Sequence, residues 1–352
     1  MLGVLAATLA AVYGTGALYG YVRKSPGLGC YPSPEEASRE VEHFAVTQPN
    51  RCALHVIGES SEGRPIYALR VHGAGAVSNT QRPRLLVTAH IHAIEYIGSY
   101  VARGLVRQLL DGYGRVASVT ALLDQADLWI VPLLNPDGAA RIWHSRGWSR
   151  LGNGRFTATG VDPNRNFPFV PVAGRSGWNS GRQRRGSAYY RGPHPLSEPE
   201  CLALARLCKR ERFCAAINFH SFGGVVFMPQ TDTPQVDNVL AVFRGTFQSH
   251  QRHRRYRPVP ERAAAIVGQL DAFLLNAFGT PSVTVEVSRP GLHLLTPWNT
   301  FNMFWWCNPW QPEYWVENDA EATIHALAAV LERSGGVPCS PAHPELAEQV
   351  PE

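Results

Sequence analysis

Lysine is nearly absent from this chain. Only Lys24 and Lys209 occur among 352 residues, so arginine supplies almost all of the 33 basic side chains, and the net charge is a modest +5. The one basic run, His250–Pro258, holds a single aromatic residue, Tyr256, and no recognisable nucleic-acid motif surrounds it. It reads as a solvated loop or helix end, and no nucleic-acid partner is expected. The seven cysteines contain no C-x-x-C pair, which argues against a cysteine zinc site. Their odd number leaves at least one thiol free or intermolecular. Cys201 and Cys208, seven apart in a helical pattern, suit a buried face. No internal repeat is present.

Long apolar runs are scarce as well, which argues against a multi-span membrane protein. The exception is Leu2–Val22, 21 residues without a charge and long enough to cross a bilayer. No basic segment precedes it, whereas Arg23 and Lys24 follow it. That flank would place the downstream chain in the cytoplasm by the positive-inside rule. Residues 1–24 are therefore expected to be a membrane anchor or signal, in a membrane-anchored or secreted/periplasmic protein, with the side of the membrane open. Residues 25–33 read as a Pro/Gly-rich linker, 34–334 as one globular domain and 335–352 as a Pro-rich, disordered tail.

Within the domain, strand and helix patterns alternate. Ser33 caps a helix with acidic residues in its first turn. "CALHVIG" and "PIYALRV" flank the turn "ESSEGR" as a hairpin. "RLLVTA" (84–89), "ADLWIVPLL" (126–134), "CAAINF" (214–219) and "SVTVEV" (282–287) read as buried strands. Helical periodicity follows Glu95 and recurs near Ser197–Arg210, Pro234–Gln251, Arg262–Ala277 and Asp319–Ser334. A Gly/Arg/Pro-rich stretch from about Ala139 to Pro195 has no pattern, and long irregular segments of this kind tend to be functional or disordered. The alternation predicts an α/β fold: a single domain with a central mixed, largely parallel twisted sheet covered by helices on both faces.

Polar groups gather at the carboxyl ends of these strands, where open α/β sheets place their ligands. His92 and Glu95 follow the first, Asn135–Asp137 the second, His220 the third, and Glu286 lies near the end of the fourth. The H-x-x-E spacing alone says little: 13 His and 19 Glu in 352 residues would give about 0.7 such matches by chance. An ordinary helix start with an acid in its first turn would also account for it. Taken together, two histidines and a glutamate make a catalytic zinc set with an open fourth position. Glu286 is then a candidate general base.

In their order along the chain these pieces resemble the zinc carboxypeptidase family (M14) related to pancreatic carboxypeptidases A and B. "IGESSEGRPIYAL", "HAIE", "NPDG", "GVDPNRNF", "SEPE", "NFHS" and "TVEV" succeed one another from about Pro34 to Val287. The resemblance implies a zinc metallopeptidase domain over 34–334 that removes the C-terminal residue of a peptide bearing a free carboxylate, with one Zn2+ per chain; a monomer is expected, though no residue pattern fixes the oligomeric state. It implies His92, Glu95 and His220 as metal ligands, Glu286 as the catalytic carboxylate, Asp162 as the acid that orients the first histidine, and Asn164 with Arg165 as the binders of the terminal carboxylate. Arg155 matches the arginine that polarises the scissile carbonyl, with Arg146 and His144 as rivals. His90 is expected to be structural or to support a ligand.

The pattern is broken in three places. Ile94 stands where the family carries an arginine. No tyrosine falls where the pancreatic enzymes have their mobile one, and Tyr256 lies too far upstream. The base of the specificity pocket falls on Leu270, which would favour apolar C-terminal residues, or on Asp271, which would favour basic ones. A murein peptide amidase, an N-acyl amino acid deacylase and a catalytically silent peptide-binding module are the alternative readings.

Overall fold

The computed structural model describes residues 28–74, 82–148, 154–170, 183–231, 233–262, 267–289 and 302–352. The expected membrane segment, residues 1–24, lies outside them. Among the described residues no helix is long and apolar enough to cross a membrane.

Eight strands form one mixed sheet. They are β1 (Cys52–Glu59), β2 (Pro65–Val71), β3 (Arg84–Ala89), β4 (Asp127–Val131), β5 (Ala215–Ser221), β6 (Val225–Gln230), β7 (Arg257–Arg262) and β8 (Ser282–Val287), in the order β1-β2-β4-β3-β5-β8-β6-β7. The central run β4-β3-β5-β8 is parallel. The hairpin β1-β2 adds to it antiparallel, and β8-β6 is antiparallel at the other side. The helices are α1 (Pro34–Thr47), α2 (Tyr96–Gly112), α3 (Ala117–Gln125), α4 (Pro136–His144), α5 (Pro199–Glu211), α6 (Pro234–His250), α7 (Leu270–Phe278), α8 (Met303–Cys307), α9 (Pro312–Ser334) and α10 (Glu345–Glu348).

Strand alternation divides the interior into two apolar layers. Leu85, Val87, Ile217, Phe219, Val283 and Val285 face one layer, which α2, α6 and α9 cover. Leu86 and Ala216 face the other, against Leu204 and Leu207 of α5 and Phe273 and Leu274 of α7. Ser33 closes a capping box with Glu36 at the start of α1. Cys201 and Cys208 are buried on α5 as their spacing predicts, and all seven cysteines are free thiols.

Four expectations from the sequence need correction. The irregular stretch begins later than Ala139, because Asn135 caps α4 through Gly138 N (2.9 Å) and the helix runs to His144. The reading of Arg262–Ala277 as one helix fails, since β7 ends at Arg262 and α7 starts at Leu270. Strands β6 and β7 are new. Prolines at 229, 258 and 260 hide their signal, and β7 tolerates its two because it is an edge strand. Finally, the segment from residue 335 packs on the domain. Cys339 N donates to Gly279 O (2.8 Å) and His343 N to Asn276 O (2.8 Å). Leu346 and Val350 are buried in the second apolar layer. Two backbone hydrogen bonds and two apolar residues four apart thus dock a proline-rich tail whose average composition reads as disordered.

Glu200, in the first turn of α5, is fully buried, and neither carboxylate oxygen makes a hydrogen bond of normal geometry. Burial pushes its carboxyl up from 4.5 to about 7, and Glu198 and Asp137 add to the shift against the nearby N–H groups of Glu200 and Ser61. A carboxyl whose pKa rises on folding stabilises the fold below its unfolded pKa and loses that stability as pH rises through the folded one. The Glu200→Gln variant should therefore gain stability over the wild type, by about 3 kcal/mol in all, as pH rises from 4.5 to 8; urea melts across that range would show it. Leu346→Ala should cost about 2–4 kcal/mol in the same assay, whereas a tail that is not docked would make it neutral.

Candidate metal centre and active site

The site grows from the carboxyl end of β3. His90 adopts a left-handed conformation (φ 58°) that turns the chain out of the strand. The turn is gripped from two sides. Asn135 N donates to His90 O (3.1 Å) and Asn135 Nδ2 to Ile91 O (3.1 Å). Asn308 Nδ2 donates to Ile94 O (2.8 Å), and its Oδ1 accepts from Ile97 N (2.9 Å). His90 itself stays out of the cluster, its Nε2 turned to Ala93 O at 3.0 Å.

Glu95 occupies the cap position of α2, yet its side chain makes no capping bond. It points instead to the two histidines, so the ordinary helix-start reading of "HAIE" fails. His92 Nδ1 lies 2.8 Å from Glu95 Oε1, His220 Nδ1 lies 3.0 Å from Glu95 Oε2, and the two Nδ1 atoms lie 3.2 Å apart. All three residues are buried, and their donor atoms fall within 4.8 Å of one another.

This donor set fits a zinc ion. Zinc–nitrogen bonds of about 2.0–2.1 Å in a tetrahedron put ligand atoms about 3.3 Å apart, close to the separations here. Two imidazole nitrogens and a carboxylate facing one another in a dry pocket need a proton or a cation between them. Burial alone would raise the Glu95 carboxyl, but His92 and His220 hold it well below the usual carboxylate range. Burial lowers His220, favouring the neutral ring that can donate a lone pair.

His220, the penultimate residue of β5, lies directly beside Glu286 of β8, since the parallel register pairs the two residues. Val283, Val285 and Val287 enter the first apolar layer, so Glu286 projects from the opposite face, shared with Asn218, His220 and Thr284.

Asp162 joins two parts of the constellation. Its Oδ2 accepts from Arg155 Nε (3.0 Å), and its Oδ1 stands 3.3 Å from His92 Nε2, near but not aligned for a normal hydrogen bond. Against the upward pull of burial, Arg155 and Arg165 hold Asp162 well below the carboxylate range. Of the three candidates for the carbonyl-polarising group, the structure brings Arg155 to this network, while His144 and Arg146 lie exposed near the end of α4. Asn164 Oδ1 accepts from Leu270 N (2.9 Å) and Arg165 binds Asn164 O. Gly268 (φ 71°) lies so close to Arg165 that any Cβ would meet its carbonyl oxygen at 2.1 Å.

One neighbour of the site, Tyr189, escaped the sequence, and two residues singled out there, Ile94 and Asp271, take their surroundings from packing. Tyr189 places its ring 5.4 Å from the guanidinium carbons of both Arg155 and Arg165. No spacing rule connects it to either. Ile94, in place of the family arginine, packs against the loop that carries Arg155: Ile94 N donates to Gly154 O (2.8 Å), and a Cβ on Gly154 would meet the Ile94 side chain at 2.9 Å. Asp271 faces the site side of the sheet, accepting from Ser282 Oγ (2.5 Å), Thr284 Oγ1 (2.5 Å) and Asn218 Nδ2. Leu270 packs in the second apolar layer. Period-two alternation from His220 and Glu286 would have found Asn218 and Thr284.

Residues 38–306 match the zinc carboxypeptidase family, peptidase family M14. Human carboxypeptidase B is 33% identical over 195 residues, 53% of this chain and 44% of that protein. The chain spans less than half the length of the first curated relatives it matches. Among solved structures, thrombin-activatable fibrinolysis inhibitor superposes with a TM-score of 0.69 at 22% identity, over 86% of this chain and 74% of that one. Carboxypeptidase A from Helicoverpa armigera gives 0.68 at 18%, over 93% and 81%. At these identities the structures speak for the fold. With the family match extending over most of its length and the fold agreeing, the chain belongs to the zinc carboxypeptidase family.

Proposed function

We propose that this protein is a zinc-dependent metallocarboxypeptidase that hydrolyses the C-terminal peptide bond of peptides. The observation that carries the reading is the convergence of His92, Glu95 and His220 beside Glu286, its register partner. His92, Glu95 and His220 would hold one zinc ion per chain, with Asp162 orienting the His92 ring. When bound, the ion supplies Lewis-acid polarisation of a carbonyl and makes water a stronger acid. Glu286 takes a proton from the attacking water and returns it to the leaving nitrogen. Arg155 holds the negative charge that develops on the carbonyl oxygen. Asn164 and Arg165 fix the substrate's terminal carboxylate, a task suited to a guanidinium fork.

Asp271, set among donors on the face of His220 and Glu286, supports a preference for basic C-terminal residues, and Leu270 takes no part in it. The family match favours neither a murein peptide amidase nor an acyl amino acid deacylase. A silent binding module would have no use for a complete donor set beside a carboxylate. The apolar run Leu2–Val22 would tether the monomeric domain to a membrane.

The purified protein should carry one zinc per chain by elemental analysis and release C-terminal residues from peptides. Glu286→Gln should keep the zinc and lower kcat at least about a hundredfold. An active Glu286→Gln variant, or a zinc-free wild type, would overturn the reading. Across a panel of peptides differing only in the last residue, arginine and lysine should be cleaved best. Asp271→Leu should lower kcat/KM for those peptides relative to leucine-ended ones by about thirtyfold or more, and an unchanged ratio would rule out Asp271 as the selector.

A further inference from the structure

A second buried polar cluster lies beyond the metal-centre residues and ends on the strand that carries Glu286. Tyr256 is 1% exposed and Asp319, in α9, is fully buried. The Tyr256 hydroxyl donates to Asp319 Oδ2 (2.7 Å) and accepts from Ser288 N (3.2 Å). Asp319 Oδ1 accepts from Gln251 Nε2 (3.1 Å) and Asn318 Nδ2 (2.8 Å). Gln251 Oε1 accepts in turn from Tyr256 N (2.7 Å), and Asn318 Oδ1 from His253 N (2.8 Å) and Arg254 N (2.7 Å). The carboxylate of α9 thus fixes both ends of the segment that presents the phenol.

An acid placed this deep is costly to keep ionised, and burial pushes the Asp319 carboxyl up to about 7. An apolar residue would fill the space without that cost. What the cluster accomplishes lies at its far end. Ser288 is a non-glycine residue in the left-handed region (φ 67°), a conformation that persists when its surroundings impose it. Its N–H is taken by Tyr256, and its carbonyl accepts from Gly223 N (3.1 Å); the Glu286 carbonyl accepts from Gly224 N (2.9 Å). The end of β8 is therefore clamped on both sides, two residues past Glu286.

We propose that Tyr256, held by Asp319, is a positioning residue for Glu286: the phenol fixes the end of β8 and so sets the angle at which the carboxylate meets its substrate. The inference rests on the functional reading given above for Glu286. It also accounts for a tyrosine that is buried and bonded at its hydroxyl, and so does not move over the site.

The test uses the full chain. Tyr256→Phe keeps the ring and removes the hydroxyl. It should lower kcat about tenfold or more, with KM within about twofold of wild type and the zinc content unchanged. Asp319→Asn, which keeps an acceptor for the phenol, should stay within about threefold of wild-type kcat, whereas Asp319→Leu should match Tyr256→Phe. The control is Tyr31→Phe, which deletes another buried hydroxyl, bonded to Pro309 O at 2.7 Å. It should lower the melting temperature comparably and leave kcat alone. Equal kcat in wild type and Tyr256→Phe would overturn the proposal, as would a loss matched by Tyr31→Phe or explained by lost zinc. A wild type inactive on every peptide would overturn the functional reading and the role of Tyr256 with it, whereas an active wild type with an indifferent Tyr256→Phe would overturn the clamp alone.

Discussion

The site depends on the parallel pairing of β5 with β8. That ladder sets His220 opposite Glu286. Strand side chains alternate with period two, so a slip of one residue would turn Glu286 into the apolar layer and a valine into the site. The register is held by what lies on the other face. Ile217, Phe219, Val283, Val285 and Val287 are all buried there, and burying a carboxylate in their place would cost several kcal/mol. The apolar residues of β8 thus specify where its one acid goes.

Charge in the site is handled by sharing. Asp162 serves Arg155 directly and stands beside His92. Tyr189 lies against both guanidiniums near this acid, and an aromatic ring within reach of two cations eases their proximity. The exchange of an arginine for Ile94 alters this economy in one place. It removes a charge from the metal-ligand loop and substitutes a packing contact, so the loop bearing Arg155 leans on the loop bearing His92 and Glu95.

Much of this was legible in the sequence because the signals are local. Buried parallel strands appear as short apolar runs, and their ends could be read off as polar residues following them. The strands β3 and β8, the helix after Glu95 and the His92–Glu95–His220 grouping all came from that pattern. Signals that depend on distant partners were not legible. The prolines of β6 and β7 argue against strands until one knows that β7 lies at an edge. Leu346 and Val350 mark a docked tail only once the groove between α5 and α7 is present. Tyr189, Asn308 and Asp319 act through residues many positions away, and no spacing announces them.

The edge strand β7 has a meaning for the molecule as a whole. Arg257 N donates inward, to Gly224 O, and along a strand the backbone groups of alternate residues point to opposite sides. The N–H positions of residues 258 and 260 therefore face outward, and both residues are proline. The rim of the eight-stranded sheet lacks donors where an incoming strand would seek them. Neither a second copy of the chain nor an extended segment of a bound peptide can continue the sheet there through a regular ladder. An extended chain that meets this domain therefore has to engage it elsewhere than along β7.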